Sequence, residues 1–298
     1  MRNPLRTLVA FTAVSFVALA ATLSPAAAQA WPDRPVKFII PLGPGAGVDI
    51  TARLVADKLS TKWGQPVVVE NRPGGDAFVA ITGVLSANDT HTLLFAPAST
   101  FTAHPLLHDK LPYNPKDLTP IARVTNTLIA LGVPTEIGVG TVKELAAKIK
   151  EQPNKLNYAS VTGANDLSEN RIQAFVGAYA IMRPRVQAGK VKVIALTNTQ
   201  HAQALNDIPT AAEAGFRSLE LDGLVGLLGP KDMPLAMREK IAADIKQVLS
   251  DPEINAKLAA TGQVVNPGSP KEFEAALNEQ SGKVVEIGKI LGIKAAGN

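Results

Sequence analysis

The chain contains no cysteine. That absence excludes disulfides, a thiolate zinc site, a cysteine nucleophile and cysteine-attached haem, so the fold rests on its hydrophobic core alone. A dominant charge is missing as well. Thirty Lys and Arg face 26 Asp and Glu, no block of like charges occurs, and the pI near 9.2 reflects only that small basic excess. Such balance argues against a nucleic-acid partner. Among short motifs there is no G-x-S-x-G elbow, no H-E-x-x-H, no dinucleotide fingerprint and no phosphate loop. Nothing singles out a catalytic triad. Internal repeats and low-complexity segments are absent too.

What is present begins with an export pattern. Arg2 and Arg6 precede an apolar stretch over residues 8–23, and a small-residue run ends in Ala28-Gln29-Ala30. Charged start, apolar middle and A-x-A site define a cleavable signal peptide over residues 1–30, with a mature chain from Trp31 and periplasmic localisation. The competing reading, a retained membrane anchor, is opposed by the short apolar stretch and the cleavage-like site. Removing Arg2 and Arg6 brings the formal charge from +4 to about +2.

The mature chain alternates short apolar runs with amphipathic stretches, which predicts an α/β protein. Strands are expected over residues 36–42, 66–70, 92–96, 156–160, 172–176 and 191–197, with long extended stretches over 121–133 and 219–228. A helix with Ile50, Leu54, Val55, Leu59 and Trp63 on one face is stopped by Gly64. Thr141 with Glu144, and Ser269-Pro270 with Glu272, read as capping boxes, and Asp251-Pro252 as a further helix start. Residues 97–104 are expected to be a polar loop, and the chain after residue 228 to be helical. Two extended stretches bracketing a middle block predict two α/β lobes joined by a double crossing, with a cleft between them. In residue terms, lobe one is 31–124 with 226–298 and lobe two is 125–225.

Candidate chemistry gathers at strand ends. Gly43-Pro44-Gly45-Ala46-Gly47 follows a strand and opens a helix, a geometry in which free N–H groups meet an anion; a plain tight turn is the alternative. Asp49 can cap that helix. Arg72, beside a second glycine turn (Asn71 to Gly75), could reach a ligand carboxylate, but an arginine flanking a turn is more often a surface or structural residue. Ala98, Ser99 and Thr100 follow one strand, and Ala159, Ser160, Thr162 and Gly163 another, where open α/β sheets place ligands. Of the four histidines, only His104 and His108 have helical ligand spacing. Pro105 between them speaks against a helix there, so no metal site and no cofactor is expected.

Several blocks in this order resemble the tripartite tricarboxylate transporter receptors, also called Bug proteins. They are WPDRPVKFIIPLGPGAGVDITARLVADKLS, GQPVVVENRPGG, LHDKLPYNPKDLTPIARV, PNKLNYAS, QAGKVKVIALT, DIPTAAEAGF and GLVGLLGPKDMPLAMREKIAADI. The resemblance covers nearly the whole mature chain. It implies a two-lobe periplasmic binding protein fold (type II-like) with a central cleft, and a non-catalytic, monomeric receptor for a small di- or tricarboxylate. The implied partners are membrane transporter subunits or a sensor kinase. Family ligands are held mostly by backbone groups, hydroxyls and water. By position, the contacts fall on Gly43, Pro44, Gly45, Ala46, Gly47 and Asp49, on Ala98, Ser99 and Thr100, and on Ala159, Ser160, Thr162 and Gly163.

One departure stands out. After Val161-Thr162-Gly163-Ala164 the family pattern jumps to Asn165-Asp166-Leu167, as though about thirty residues, one helix-and-strand unit, were missing. A truncated second lobe follows, and with it a degenerate member with weakened or lost binding as the rival reading. A periplasmic hydrolase or lyase using the cleft is the other.

Overall fold

The computed structural model describes residues 31–160, 164–201, 205–290 and 292–293. The expected signal peptide, Thr162 and Gly163 lie outside the described residues.

The chain starts with β1 (Val36–Ile40), α1 (Gly47–Trp63), β2 (Val67–Asn71), a 3-10 turn at Gly75–Ala77, α2 (Phe78–Ala87) and β3 (Thr92–Pro97). Two short helices follow, α3 (Ser99–Thr102) and α4 (His104–Leu107), and then β4 (Leu118–Thr127). The middle of the chain supplies β5 (Ile129–Pro134), α5 (Val142–Glu151), β6 (Tyr158–Ser160), α6 (Ala164–Ser168), β7 (Ala174–Ala178), α7 (Tyr179–Gln187) and β8 (Val191–Leu196). It closes with β9 (Gly223–Pro230), α8 (Leu235–Val248), α9 (Pro252–Ala260), β10 (Gln263–Gly268) and α10 (Pro270–Ile290).

These strands form two sheets. The first has the order β10-β4-β9-β3-β1-β2, and the second β6-β7-β5-β8. In the first, β1 runs parallel to β2 and β3, while β9 is antiparallel to β3 and β4. Helices cover both of its faces, so its strands are apolar on both sides. Phe38, Ile40, Leu93, Phe95, Val225 and Leu227 pack toward α1, α8 and α9. Their neighbours Ile39, Leu94, Ala96 and Leu228 pack toward Ile81 and Val84 of α2 and Phe273 and Leu277 of α10. The second sheet repeats this on a smaller scale, with Phe175, Met182 and Leu196 on one side and Val133, Leu145 and Ile194 on the other.

The expected caps form: Thr141 and Glu144 bond reciprocally, as do Ser269 and Glu272, and Asp251 accepts the Glu253 N–H. Four local expectations need correction. Residues 97–104 are not a loop, because α3 and α4 build there on Ala98 and Ala103 carbonyls. The tail is not purely helical: β10 pairs antiparallel with β4 and supplies a sheet edge. Residues 121–133 are two strands in two sheets, broken at Leu128. The strand expected at residue 172 starts at Ala174, since the Ile172 N–H closes a turn onto the Asp166 carbonyl.

Close packing is sharpest at Gly226, in the centre of the first sheet. A methyl there would overlap the Phe273 ring and lie 2.6 Å from the Ala122 carbonyl oxygen. Gly226→Ala is therefore expected to lower stability by about 1–3 kcal/mol, read as a fall in denaturant midpoint at unchanged slope.

Candidate functional site

Strand direction decides which loops face each other. The chain leaves the first sheet at Thr127, the end of β4, and enters the second at Ile129, the start of β5. The C-terminal end of β4 therefore faces the second lobe. Antiparallel pairing places the start of β9 at that edge (Gly223 opposite Thr127), and β3 runs antiparallel to β9, so β3 ends there too (Pro97 opposite Val225). β1 and β2 follow β3 by parallel pairing. The turn after β1 and the segment after β3 thus both open toward the second lobe. In the second sheet, the β5 start lies opposite the β7 end (Ile129 with Ala178), and β6 runs parallel to β7. Ser160, the last residue of β6, then lies at the edge of the second sheet that faces the first.

The first candidate loop is built by a buried carboxylate. Asp49, 2% exposed, sits in the first turn of α1. Its Oδ2 accepts the Gly45 N–H at 2.9 Å, and its Oδ1 accepts the Asn71 Nδ2–H at 2.8 Å. Arg53, one turn further along α1, reaches it through Nε at 3.1 Å and Nη2 at 3.0 Å. Asn71 also donates to the Leu42 carbonyl at 2.8 Å and accepts from Arg53 Nη2 at 2.7 Å. The carboxylate is fully engaged inside the protein, so it shapes the loop; its side chain does not present itself to a ligand. Burial works to raise its pKa. The hydrogen bonds from Arg53, Gly45 and Asn71 and the Arg53 charge outweigh that and hold it below the usual value.

The loop exposes backbone. Gly45 sits at φ +84°, where L side chains are strained, and no side chain caps the start of α1. Uncapped N–H groups at a helix start suit an anion. Gly47 carries a second constraint, because a Cβ there would lie 2.8 Å from Gln263 Nε2.

At the β3 end, Ala98 is buried and its N–H is taken by the Leu224 carbonyl at 2.7 Å, whereas Ser99 is exposed and Thr100 half-buried at the start of α3. On β6, Ala159 is half-buried beside Phe175, and Ser160 is exposed. Arg72 is turned away: it bonds Glu70 at 2.7 Å and packs against Gly83. Two surface depressions exist elsewhere, one of about 560 Å³ beside the α1–β2 turn (Ser60 to Val67) and one of about 180 Å³ under β6 (Leu145 to Ala174). The first is open to solvent and uncharged, and neither is lined by the loops on the facing edges.

Sequence reasoning missed the residues that hold these edges in place. Asn198, 2% exposed, accepts the Ile129 N–H at 2.8 Å and donates to the Thr127 carbonyl at 3.0 Å, bracketing the crossing. Gln263 accepts from Thr125 Oγ1 at 2.9 Å and donates to Thr127 Oγ1 at 3.0 Å. The Asp49–Arg53 spacing of four was a usable signal. Asn198 and Gln263 are distant in sequence from their partners and gave none. His104 and His108 do come together, with Asp76, because Pro105 occupies the first turn of α4, where its missing N–H costs nothing.

The family profile described as "Tripartite tricarboxylate transporter family receptor" matches residues 51–170 and 161–293. The chain belongs to this family. It is a family of receptors, not of enzymes. A UPF0065 protein of Bordetella bronchiseptica is 27% identical, covering 92% of this chain and 90% of its own, and Protein BugT of Bordetella pertussis is 24% identical, covering 92% and 95%. Among solved structures, one described as a periplasmic transporter has a TM-score of 0.76 at 27% identity, covering 89% of this chain and all of its own. R. palustris Rpa4515 with adipate has the same TM-score at 22% identity, covering 88% and 99%. These likenesses establish the two-lobe periplasmic binding protein fold. The two matched stretches of the family profile overlap at residues 161–170. The alignment to the Bordetella bronchiseptica relative runs over 305 positions, more than the 298 residues of this chain, so the relative carries residues this chain lacks.

Two outcomes are expected for this receptor. Asn198→Ala should cost about 1–3 kcal/mol in a denaturant melt, because it strips partners from the Thr127 carbonyl and the Ile129 N–H at the crossing. Asp49→Ala should cost a similar amount at neutral pH. With its pKa lowered on folding, Asp49 contributes stability that is present above the ordinary Asp range and lost as pH falls through the lowered value. The stability gap between wild type and Asp49→Asn should accordingly narrow below about pH 4.

Proposed function

We propose that this receptor works in the periplasm, capturing a small di- or tricarboxylate between its lobes and handing it to the membrane subunits of a tripartite tricarboxylate-type transporter. The observation that carries this reading is the strand pairing, which brings the turn after β1, the segment after β3 and the end of β6 at Ser160 to the facing edges of the two sheets. Lobe one ends with β4 at Thr127 and resumes with β9 at Gly223, so the lobes divide at Leu128 and near Asp222 rather than at the boundaries 124/125 and 225/226 expected from sequence. The ligand-facing groups are those of Gly43, Pro44, Gly45, Ala46 and Gly47, with Ser99, Thr100, Ser160, Thr162 and Gly163; Asp49, Ala98 and Ala159 support them from behind. Backbone N–H groups and hydroxyls suit carboxylate oxygens. Neighbours of the same fold described with adipate and with bound malate support the ligand class. Among the described residues no helix is long and apolar enough to cross a membrane, which accords with a carrier working beside its transporter. Ligand closes the lobes by its higher affinity for the closed state.

The second reading is favoured by the division of the profile match into two stretches that overlap at residues 161–170: a receptor whose shortened second lobe has weakened its grip. Thermal melts of residues 31–298 with a panel of di- and tricarboxylates and amino acids separate the two. A ligand at 100 times its dissociation constant adds about 2.7 kcal/mol, a shift of several degrees. One carboxylate that shifts a cooperative melt is the expected result. A cooperative melt that no compound moves, beside an intact relative that responds, overturns the capture reading in favour of the second.

A further inference from the structure

We propose that Asp76, His104 and His108 form a binding site for a divalent transition-metal ion of the zinc class, with a coordination position open to solvent. The ligand atoms are both imidazole Nε2 atoms and one carboxylate oxygen.

The case starts with spacing. His104 and His108 are four residues apart, and the turn of α4 between them is closed by the His108 N–H donating to the His104 carbonyl at 3.0 Å. One helical turn puts both rings on one side. Across from them, Asp76 Oδ2 lies 2.8 Å from His108 Nε2 and 3.5 Å from His104 Nε2. One ligand atom from each residue lies within 4.8 Å of the other two. A four-coordinate zinc with bonds of about 2.0–2.1 Å spaces its ligands by about 3.4 Å. The longer distance already fits, and the shorter opens by about half an ångström, a small side-chain adjustment.

An Asp–His ion pair accounts for Asp76 and His108. His104 stands 3.5 Å from the same carboxylate, too poorly aligned for a hydrogen bond. That residue is 1% exposed, and its Nε2 is buried with no hydrogen-bond partner. Buried polar nitrogens are nearly always satisfied, and this one lies 3.5 Å from the Asp76 carboxylate without a hydrogen bond to it. An ion between the three side chains supplies the missing partner.

The surroundings match a metal site. His104 Nδ1 lies 2.8 Å from the buried Tyr113 hydroxyl. With Nδ1–H donating to that oxygen, the Nε2 lone pair is presented to the ion, the usual arrangement behind a metal-bound imidazole; the proton is placed by this network. Phe78 packs against both imidazoles, with centroids 4.7 and 4.9 Å away, and fixes their planes. The Asp76 side chain is 58% exposed and that of His108 31%, so an ion can arrive from solvent and keep a water or a carboxylate on its open side. Two imidazoles and one carboxylate select zinc, cobalt, nickel or copper over magnesium or calcium. The proposal is independent of the capture reading, since it is tested without any carboxylate.

The test uses residues 31–298, free of tag and stripped by chelator, titrated calorimetrically with zinc chloride and then loaded with cobalt(II). One equivalent of zinc and the visible bands of four-coordinate cobalt are expected. Asp76→Asn and His108→Ala change solvent-accessible positions and should each weaken zinc at least about 100-fold. His201→Ala, which removes the His201–Glu213 pair on the other lobe, should leave affinity unchanged. In the unmutated protein, zinc should shift the imidazole resonances of His104 and His108 and leave those of His91 and His201 in place. No saturable binding, one equivalent retained unchanged in both Asp76→Asn and His108→Ala, or resonance shifts confined to His91 or His201 overturns the proposal.

Discussion

The outgoing crossing between the two halves of this receptor runs through Leu128, whose backbone is shared between them. Its N–H donates to the Gly262 carbonyl at 2.9 Å, just before β10, and its carbonyl accepts the Tyr179 N–H at 2.8 Å, at the start of α7. Each polar group of the crossing peptide is thus spent on a different lobe, and Asn198 ties the carbonyl of Thr127 before it and the N–H of Ile129 after it. A buried crossing with unpaired groups would be costly. Satisfying them in this way fixes where β5 begins relative to where β4 ends, and the direction of every other strand follows by pairing.

The return crossing is looser and more exposed. Thr197 exchanges bonds with Leu221, donating through Oγ1 and accepting through its carbonyl, both at 2.9 Å, and Thr199 Oγ1 donates to the exposed edge at Asp222, also at 2.9 Å. From the first lobe, α10 reaches the same place through Gln280, which donates to the Asp222 carbonyl at 3.2 Å. Further support comes from Arg183 of α7, which donates to the Ala260 carbonyl at 2.7 Å. The two crossings thus differ in packing, buried at Leu128 and half-buried from Leu221 to Gly223.

The loop after β1 carries few side chains that could bind anything, and its shape is maintained from behind by Asp49, Arg53 and Asn71. The second lobe is the economical half, with a four-stranded sheet whose edge strand β6 has three residues and leaves Tyr158 exposed.

Much of this was legible along the chain, because it depends on neighbours in sequence. Alternating apolar runs, glycine turns and capping boxes act over one to four residues, and they located β1, α1, β2, β3, α5, β8 and the helix starts at Asp251 and Ser269. The blocks that mark the family were equally visible. What only the tertiary structure decided involves partners far apart: β10 reads as a tail until it meets β4 more than a hundred residues away, and Asp49 reads as a ligand contact until Arg53 and Asn71 close around it. The Asp76, His104 and His108 cluster is the same case. Pro105 looked like a break, but a helix start tolerates proline, and the aspartate arrives from another loop. Local propensity acts through bonds within a turn, while burial and the pairing of distant polar groups are set only when the sheets assemble.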